Sequence, residues 1–394
     1  MQPRVQRTHE SRVGRVSCMR GGFSHRPNAN QTTTNCTGTP RAASATDSSS
    51  DRSHFISKLP AREGWSEPLV LYKNYWFRPY FVDSRLRIEN GFKPRPEDAI
   101  LATNPKCGTT WLKALAFTVI NRFRYDFGSH PLLFRHPQEV VPSIEAPSHE
   151  NLTYLENLPS PRLPATHMPL SLFPKSIANC GCLVVYICRD PKDAFVSRWH
   201  FDNKMHRGHC VDMETAFDMF TEGFSSNGPF WDHCLEYWRE SIAKPDKVLF
   251  LKYEDMTLEP TKYVIRLATF LGVPFSIKEI EDGIPEEVVR LCSFEKLSSL
   301  STNQPGEFAR LGNIVIEILG KERSSEELAF VFRRRRRFLF LLIDVDALFL
   351  RGDADSPDVV ADSPTHRTPA HRRGAATTRA ATACKDGEQQ MQSQ

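Results

Sequence analysis

An α/β fold with a central parallel sheet flanked by helices is what this sequence predicts, and three observations predict it. Apolar runs that end in charge recur along the middle of the chain, and helix-length amphipathic stretches separate them. The residues best suited to hold an anion stand just after those apolar runs. Strands buried on both faces read as continuous apolar runs, and their alternation with helices marks a parallel sheet. Ligands of such sheets bind at the carboxyl ends of the strands.

The first run, 99–102 (AILA), leads into Asn104-Pro105-Lys106-Cys107-Gly108-Thr109-Thr110-Trp111 and then into a helix predicted over 109–123. Strand, tight loop and helix in that order turn backbone N–H groups toward an anion. Lys106 adds a formal charge, Gly108 allows close approach of the backbone, and Thr109 and Thr110 offer hydroxyls. The loop is expected to grip a terminal phosphate or sulfate. It is not the ordinary nucleotide-binding pattern, in which lysine follows the second glycine of Gly-x-x-x-x-Gly-Lys-Ser/Thr. Here lysine precedes the only glycine. The second run, 181–190, ends in Arg189-Asp190 and opens a helix over 191–200, with proline at its favoured first position. The third, 246–255, ends in Lys252-Tyr253-Glu254-Asp255. Further helices are predicted over 213–222, 231–242 and 262–271. Lys106, Arg189 and Tyr253 each follow a predicted strand, which points to one shared site.

Composition narrows the function classes. The chain has 394 residues, 40% hydrophobic and 25% charged, as in an ordinary soluble globular protein. Its net charge of +4 suits an anionic cosubstrate and is too small to imply nucleic acid. Ten cysteines occur without a CxxC pair, so neither a zinc site nor a disulfide framework is expected, and reduced thiols in the cytoplasm are the default. No run of eighteen apolar residues argues for a membrane span. Residues 1–55, rich in Arg, Ser, Thr and Asn, read as a disordered, solvated extension. Their scarcity of acidic residues before Asp47 also loosely resembles an organelle transit peptide. Residues 65–316 carry the α/β pattern. Residues 317–394 change character: an arginine run, Arg333 to Arg337, precedes a tail of Ala, Thr, Pro and Ser. The tail is expected to be disordered, and the arginine run reads as solvated charge rather than a nucleic-acid contact.

The loop does not stand alone. Pro-Lys-x-Gly-Thr-Thr-Trp resembles the 5′-phosphosulfate loop of the soluble sulfotransferases, and over 72–316 the chain looks like their plant members. The resemblance implies a single P-loop-like domain and 3′-phosphoadenosine 5′-phosphosulfate (PAPS) as sulfuryl donor, with no metal. It implies that Lys106, Cys107, Gly108, Thr109 and Thr110 hold the phosphosulfate and that Trp111 stacks on the adenine. Thr166-His167-Met168-Pro169 resembles the family's Thr-His-x-Pro segment, whose histidine is the general base. That role makes chemical sense: a phenol titrates near ~10 and histidine near ~6.5, so proton removal must accompany attack. Arg189 and Ser197, eight residues apart, resemble the element that binds the 3′-phosphate, with a guanidinium able to donate two parallel hydrogen bonds. Tyr253 resembles the adenine-contacting tyrosine, and Cys292-Ser293-Phe294-Glu295-Lys296-Leu297 the segment that wraps the adenosine through Cys292, Ser293, Phe294 and Leu297. Lys106 would also neutralise charge on the leaving group. His200 and His233 are read as structural. The acceptor is expected to be a small hydroxylated molecule such as a flavonoid, another phenolic, a steroid or a hormone. Tyr75, Trp76, Phe77, Phe81 and Phe134 are candidates to line its pocket or to belong to the core.

One departure stands out. The family's Arg-Lys-Gly-x-x-Gly-Asp-Trp-Lys segment is expected soon after residue 316, and this sequence has none. Charge-assisted hydrogen bonds contribute about 1.5–3 kcal/mol each, so losing two would weaken donor binding roughly a hundred- to ten-thousandfold. A second reading follows, a sulfotransferase-like binding protein with impaired turnover. A nucleotide kinase of similar topology is disfavoured by the missing Gly-Lys-Ser/Thr pattern.

Overall fold

The computed structural model describes residues 49–145, 150–205 and 210–300. In chain order its elements begin with helix α1 (Ser49–Ser57), strands β1 (Ala61–Arg62), β2 (Leu69–Tyr72) and β3 (Tyr75–Phe77), helix α2 (Pro79–Gly91), strand β4 (Ala99–Thr103) and helix α3 (Thr109–Asn121). Short helices α4 (Pro137–Val140) and α5 (Glu150–Asn157) precede strand β5 (Ala165–Thr166), helix α6 (Lys175–Cys180), strand β6 (Leu183–Cys188) and helix α7 (Pro191–Met205). Helices α8 (Met213–Thr221) and α9 (Phe230–Ala243), strand β7 (Val248–Lys252) and helices α10 (Tyr253–Leu258), α11 (Pro260–Phe270), α12 (Ile277–Glu281), α13 (Ile284–Leu291) and α14 (Phe294–Ser299) complete it.

The sheet that matters for function has the order β5-β4-β6-β7, and every neighbouring pair is parallel. Leu101 pairs with Val185, and Val185 with Leu249, so Thr103, Cys188 and Lys252 form one edge of strand tips. Side chains alternate between two cores, as the two-residue period of a strand requires. Ile100, Ala102, Val184, Tyr186, Cys188, Val248 and Phe250 enter one. Ala99, Leu101, Val185, Ile187, Leu249 and Leu251 enter the other. Both faces are covered, which is why these strands read as unbroken apolar runs. Arg162 Nε donates to Asp98 Oδ1 at 2.8 Å in a fully buried pair that pins the start of β4 beside the chain entering β5.

Two features had no counterpart in the sequence pattern. Strand β5 is two residues long, too short to show a period, and it brings Thr166-His167 to the sheet edge. A separate antiparallel sheet, β1-β2-β3, is joined to the connection between α8 and α9 by Trp76 N–H donating to Gly228 O at 2.7 Å. It absorbs Tyr75 and Phe77 into the core together with Phe81, whereas Phe134 is 65% exposed. Helix α1 begins at Ser49 and docks on α2 through Arg52 and Asp83 at 2.7 Å, so helix occupies the last residues of the region 1–55. Residues 1–48 and the tail 317–394, with its arginine run and the missing donor-binding segment, lie outside the described residues. Among the described residues no helix is long and apolar enough to cross a membrane, and no group of His, Cys, Asp and Glu could hold a metal ion.

Candidate active site

The loop between β4 and α3 bends through two left-handed residues, Lys106 at φ 78° and Gly108 at φ 99°. A side chain at position 108 would be blocked twice, by that φ and by Tyr253, whose ring carbon Cδ2 would lie 2.8 Å from an added Cβ. Lys106 tolerates a conformation that costs a residue with a Cβ of the order of 1–3 kcal/mol, the kind of strain that clusters at functional sites. Its Nζ lies 4.7 Å over the ring of Phe201 on α7. The first N–H groups of α3 have no intrahelical acceptor and face the mouth of the loop, where the helix dipole favours negative charge. Cys107 turns its side chain away from the loop mouth and into the core. Its thiol is fully buried, burial holds it well above the usual thiol range, and its N–H already donates to Asn104 O at a long 3.3 Å.

The second strand tip supplies Arg189 and helix α7. Asp190 caps that helix through Lys192 N–H at 2.8 Å, and Pro191 opens it. Arg189 is buried, pairs with Asp193 at 3.5 Å, and sets its guanidinium 4.8 Å from the centre of the Tyr253 ring. Ser197 follows nearly two turns later. Its Oγ is fully buried and has no hydrogen-bond partner among the described residues. An orphaned buried hydroxyl forgoes about 1–3 kcal/mol, so such groups point to a partner supplied from elsewhere. The third tip supplies Tyr253, whose ring meets Trp111 edge to face at 5.4 Å. The second and third tips are tied by Asp190 N–H donating to Glu254 Oε1 at 2.8 Å. Lys106, Gly108, Trp111, Arg189, Ser197 and Tyr253 are thus brought together.

The segment 292–297 is placed differently. Cys292 Sγ lies in the core, 3.3 Å from Thr118 Oγ1 on α3, and Leu297 packs in the same cluster. Ser293 caps α14 by accepting from Lys296 N–H at 3.1 Å, and Phe294 is exposed.

His167 stands at the end of β5, half-buried, one strand over from the loop that carries Lys106. Its Nδ1 lies 2.9 Å from Thr103 O and 3.0 Å from Thr103 Oγ1. A carbonyl can only accept, so Nδ1 carries the proton and Nε2 keeps the lone pair. Thr103 Oγ1 lies 2.7 Å from Thr109 Oγ1. A chain of three side chains therefore runs from His167 to the first turn of α3. The Thr103–Thr109 contact can run in either direction, and when Thr103 is the donor the Thr109 O–H is left to donate to an anion. Burial pushes the His167 imidazolium down to about 4, with the Thr103 carbonyl opposing and Lys113, Arg198 and Lys106 adding to the effect. The ring is neutral near pH 7 and ready to take a proton.

Four residues around His167 carry no sequence motif. His233 Nε2 donates to His167 O at 3.1 Å, and its Nδ1 accepts from Tyr186. Asn227 Nδ2 donates to the same carbonyl at 3.0 Å, and Tyr237 Oη donates to Met168 O at 2.6 Å. On the other side, Glu145 Oε1 accepts from His167 N–H at 2.9 Å. His233 is thus structural as the sequence reading holds, and the structure it maintains is the strap that carries His167.

The sulfotransferase domain family matches residues 96–313. Cytosolic sulfotransferase 16 of Arabidopsis thaliana is 43% identical over 256 residues, covering 64% of this chain and 75% of that protein. The flavonol 4′-sulfotransferase of Flaveria chlorifolia is 41% identical over 255 residues, covering 64% and 78%. Among solved structures, an Arabidopsis thaliana protein assigned as a steroid sulphotransferase superposes with a TM-score of 0.55 at 35% identity, covering 69% of this chain and 93% of the other.

Proposed function

We propose, from the premise that this chain belongs to the plant cytosolic sulfotransferase family and is a sulfotransferase enzyme, that its donor is PAPS and its acceptor the hydroxyl of a small phenolic or steroid-like molecule. The observation that carries the reading is the hydroxyl chain Thr109–Thr103–His167, which joins an anion-holding loop to a neutral base within one site. A reaction that moves a charged group onto a hydroxyl needs both at once.

The residues present fit such a donor. Lys106, the Thr109 and Thr110 hydroxyls and the N–H groups of α3 would hold its phosphosulfate end. Arg189 and the orphaned Ser197 Oγ would hold a second phosphate, and Trp111 and Tyr253 would flank the base. When bound, PAPS supplies the sulfuryl group. His167 Nε2 takes the acceptor's proton while Thr103 O holds the proton on Nδ1, so the ring is stabilised as a cation once it has accepted. Lys106 Nζ would supply positive charge to offset the negative charge that grows on the departing oxygen. No residue forms a covalent bond to the transferred group. The acceptor class is drawn from a relative that acts on flavonols and a neighbour assigned to steroids, and relatives named as cytosolic lead us to place the chain in the cytosol.

Incubating the chain with sulfur-labelled PAPS and a panel of flavonols, simple phenols and steroids tests this. Label is expected in at least one acceptor, and none in any acceptor would sink the reading. Calorimetric titration with 3′-phosphoadenosine 5′-phosphate (PAP), the desulfated donor, read together with that transfer assay, separates an enzyme, which binds PAP and transfers label, from a protein that only binds.

A further inference from the structure

We propose that Glu145 is a positioning residue for the general base: it fixes the ring of His167 by gripping the backbone on which that ring is carried. The inference rests on the sulfotransferase reading for its catalytic consequence and on geometry alone for its structural part.

Glu145 is a buried carboxylate, 5% exposed, in the chain that runs beside β5. That neighbouring chain is paired to the strand, with Ala165 N–H donating to Pro142 O at 2.9 Å and Ile144 N–H to Ala165 O at 2.8 Å. Both carboxylate oxygens are used. Oε2 accepts from Ser143 Oγ at 2.8 Å, and Oε1 accepts from the Thr166 hydroxyl and from His167 N–H. Thr166 Oγ1 in turn accepts from Met168 N–H at 3.0 Å. One carboxylate thereby organises three consecutive residues, Thr166 to Met168, just where the two-residue strand ends and ladder hydrogen bonds can no longer hold the chain. Behind it lies Lys113, 1% exposed, whose Nζ donates to Gln138 and whose charge acts on Glu145. Burial drives the Glu145 carboxyl up, and its three donors pull it back toward the charged form.

A buried carboxyl beside a lysine that burial pushes down to about 7 is an expensive way to hold a short strand. Apolar side chains of similar volume stabilise as well or better. What apolar side chains cannot supply is a directional clamp on a backbone N–H. The strap is held at His167 O by His233 and Asn227 and at His167 N–H by Glu145, so the peptide groups on both sides of the base are fixed. Only with them fixed does Nδ1 stay at 2.9 Å from Thr103 O, and that contact is what keeps the lone pair on Nε2. Free histidine prefers the opposite tautomer, so loss of the clamp exchanges a base for a donor at the atom facing the acceptor.

The test uses the full chain labelled with nitrogen-15 at histidine, with a His167→Asn variant to identify the His167 signals. In the unaltered protein the two-bond nitrogen–proton spectrum shows the Nδ1–H tautomer. In Glu145→Ala the signals are expected to move toward Nε2–H, and kcat to fall roughly ten- to hundredfold, as displacement of a catalytic group by about an ångström does. The Kd for PAP changes by less than about twofold, because the donor-holding residues are untouched. Glu145→Gln keeps an oxygen for the N–H and is expected to retain the tautomer and most of kcat. Should Glu145→Ala fail to fold, Glu145→Asp, one methylene too short to reach His167 N–H, must show the tautomer change. An unchanged tautomer in the alanine or aspartate variant overturns the proposal, as does a kcat within about twofold of the parent. A parent protein that transfers no label sinks the functional reading instead, and the tautomer measurement still decides the role of Glu145.

Discussion

The two halves of the site are built on opposite terms. Around Lys106 the backbone is strained, with left-handed φ at two of three consecutive residues, and Ser197 Oγ is buried without a partner among the described residues. Around His167 the groups that place the ring are engaged: its N–H by Glu145, its carbonyl by Asn227 and His233, its Nδ1 by Thr103. One half is arranged to be completed by an anion, and the other is complete in itself. The difference follows from the chemistry. A highly charged donor brings its own binding energy and can satisfy the groups that await it, whereas a proton acceptor must have the right tautomer before anything binds.

His167→Ala breaks the completed half at its centre. The expected loss is about a hundred- to ten-thousandfold in kcat, with the Kd for PAP unchanged in calorimetry. An effect mainly on donor affinity would mean the two halves are not separate. The same residue has a pH signature. With the folded-state imidazolium pushed down to about 4, Nε2 is protonated only below that value, so the acid limb of kcat/KM should lie well under the ~6.5 of an ordinary histidine. For stability the sign is the same: the unfolded chain binds protons on His167 between about 6.5 and 4 and the folded chain does not, so this contribution is present above that window and lost as pH falls through it.

Completing the donor half is the converse experiment. Residues 301–394 contain no Arg-Lys-Gly-x-x-Gly segment. A chimera that carries one from a relative should bind PAP about a hundred- to ten-thousandfold more tightly, the worth of two charge-assisted hydrogen bonds. Equal affinity would show that the donor half needs nothing more. Lys106→Met should lower kcat by about a hundred- to thousandfold, the usual cost of removing one stabiliser of developing charge. A loss confined to the KM for the acceptor would remove the lysine from that role. Arg189→Leu is expected to weaken PAP by roughly ten- to hundredfold while leaving the acceptor's KM alone. The smallest effect belongs to Ser197→Ala, a roughly three- to tenfold weaker PAP Kd, with an unliganded Tm that stays level or rises because an unpaired hydroxyl is gone. A fall in the unliganded Tm would mean that Ser197 already has a partner.

How much of this was legible in the chain depends on distance along it. The strands at 99–103, 183–188 and 248–252 and the five long helices that accompany them were visible as apolar runs and amphipathic stretches, within a few residues at each boundary. Helix α7 ran furthest beyond its expected end, to Met205 rather than 200, since no glycine or proline stops it there. Strand β5 and the β1-β2-β3 sheet were not visible, because strands of two to four residues are too short to show alternation. Within the site, Lys106, Arg189 and Tyr253 could be grouped because each follows a strand in one parallel sheet. Glu145, Asn227 and His233 could not, for nothing near them in the chain relates them to a histidine 22 to 66 residues away.

The sequence by itself determined the parallel sheet, the strand–loop–helix turn at Lys106 and the family, because strand burial, helix starts and loop chemistry are all written in neighbouring residues. Only the tertiary structure decided that Cys107 and Cys292 turn their thiols into the core, that Thr103 links the loop to His167, and that the buried Glu145 carboxylate accepts from the His167 N–H. The reason is physical. A hydrogen bond between side chains on different strands depends on the register in which those strands pair, and register is a property of the assembled sheet, absent from any one segment.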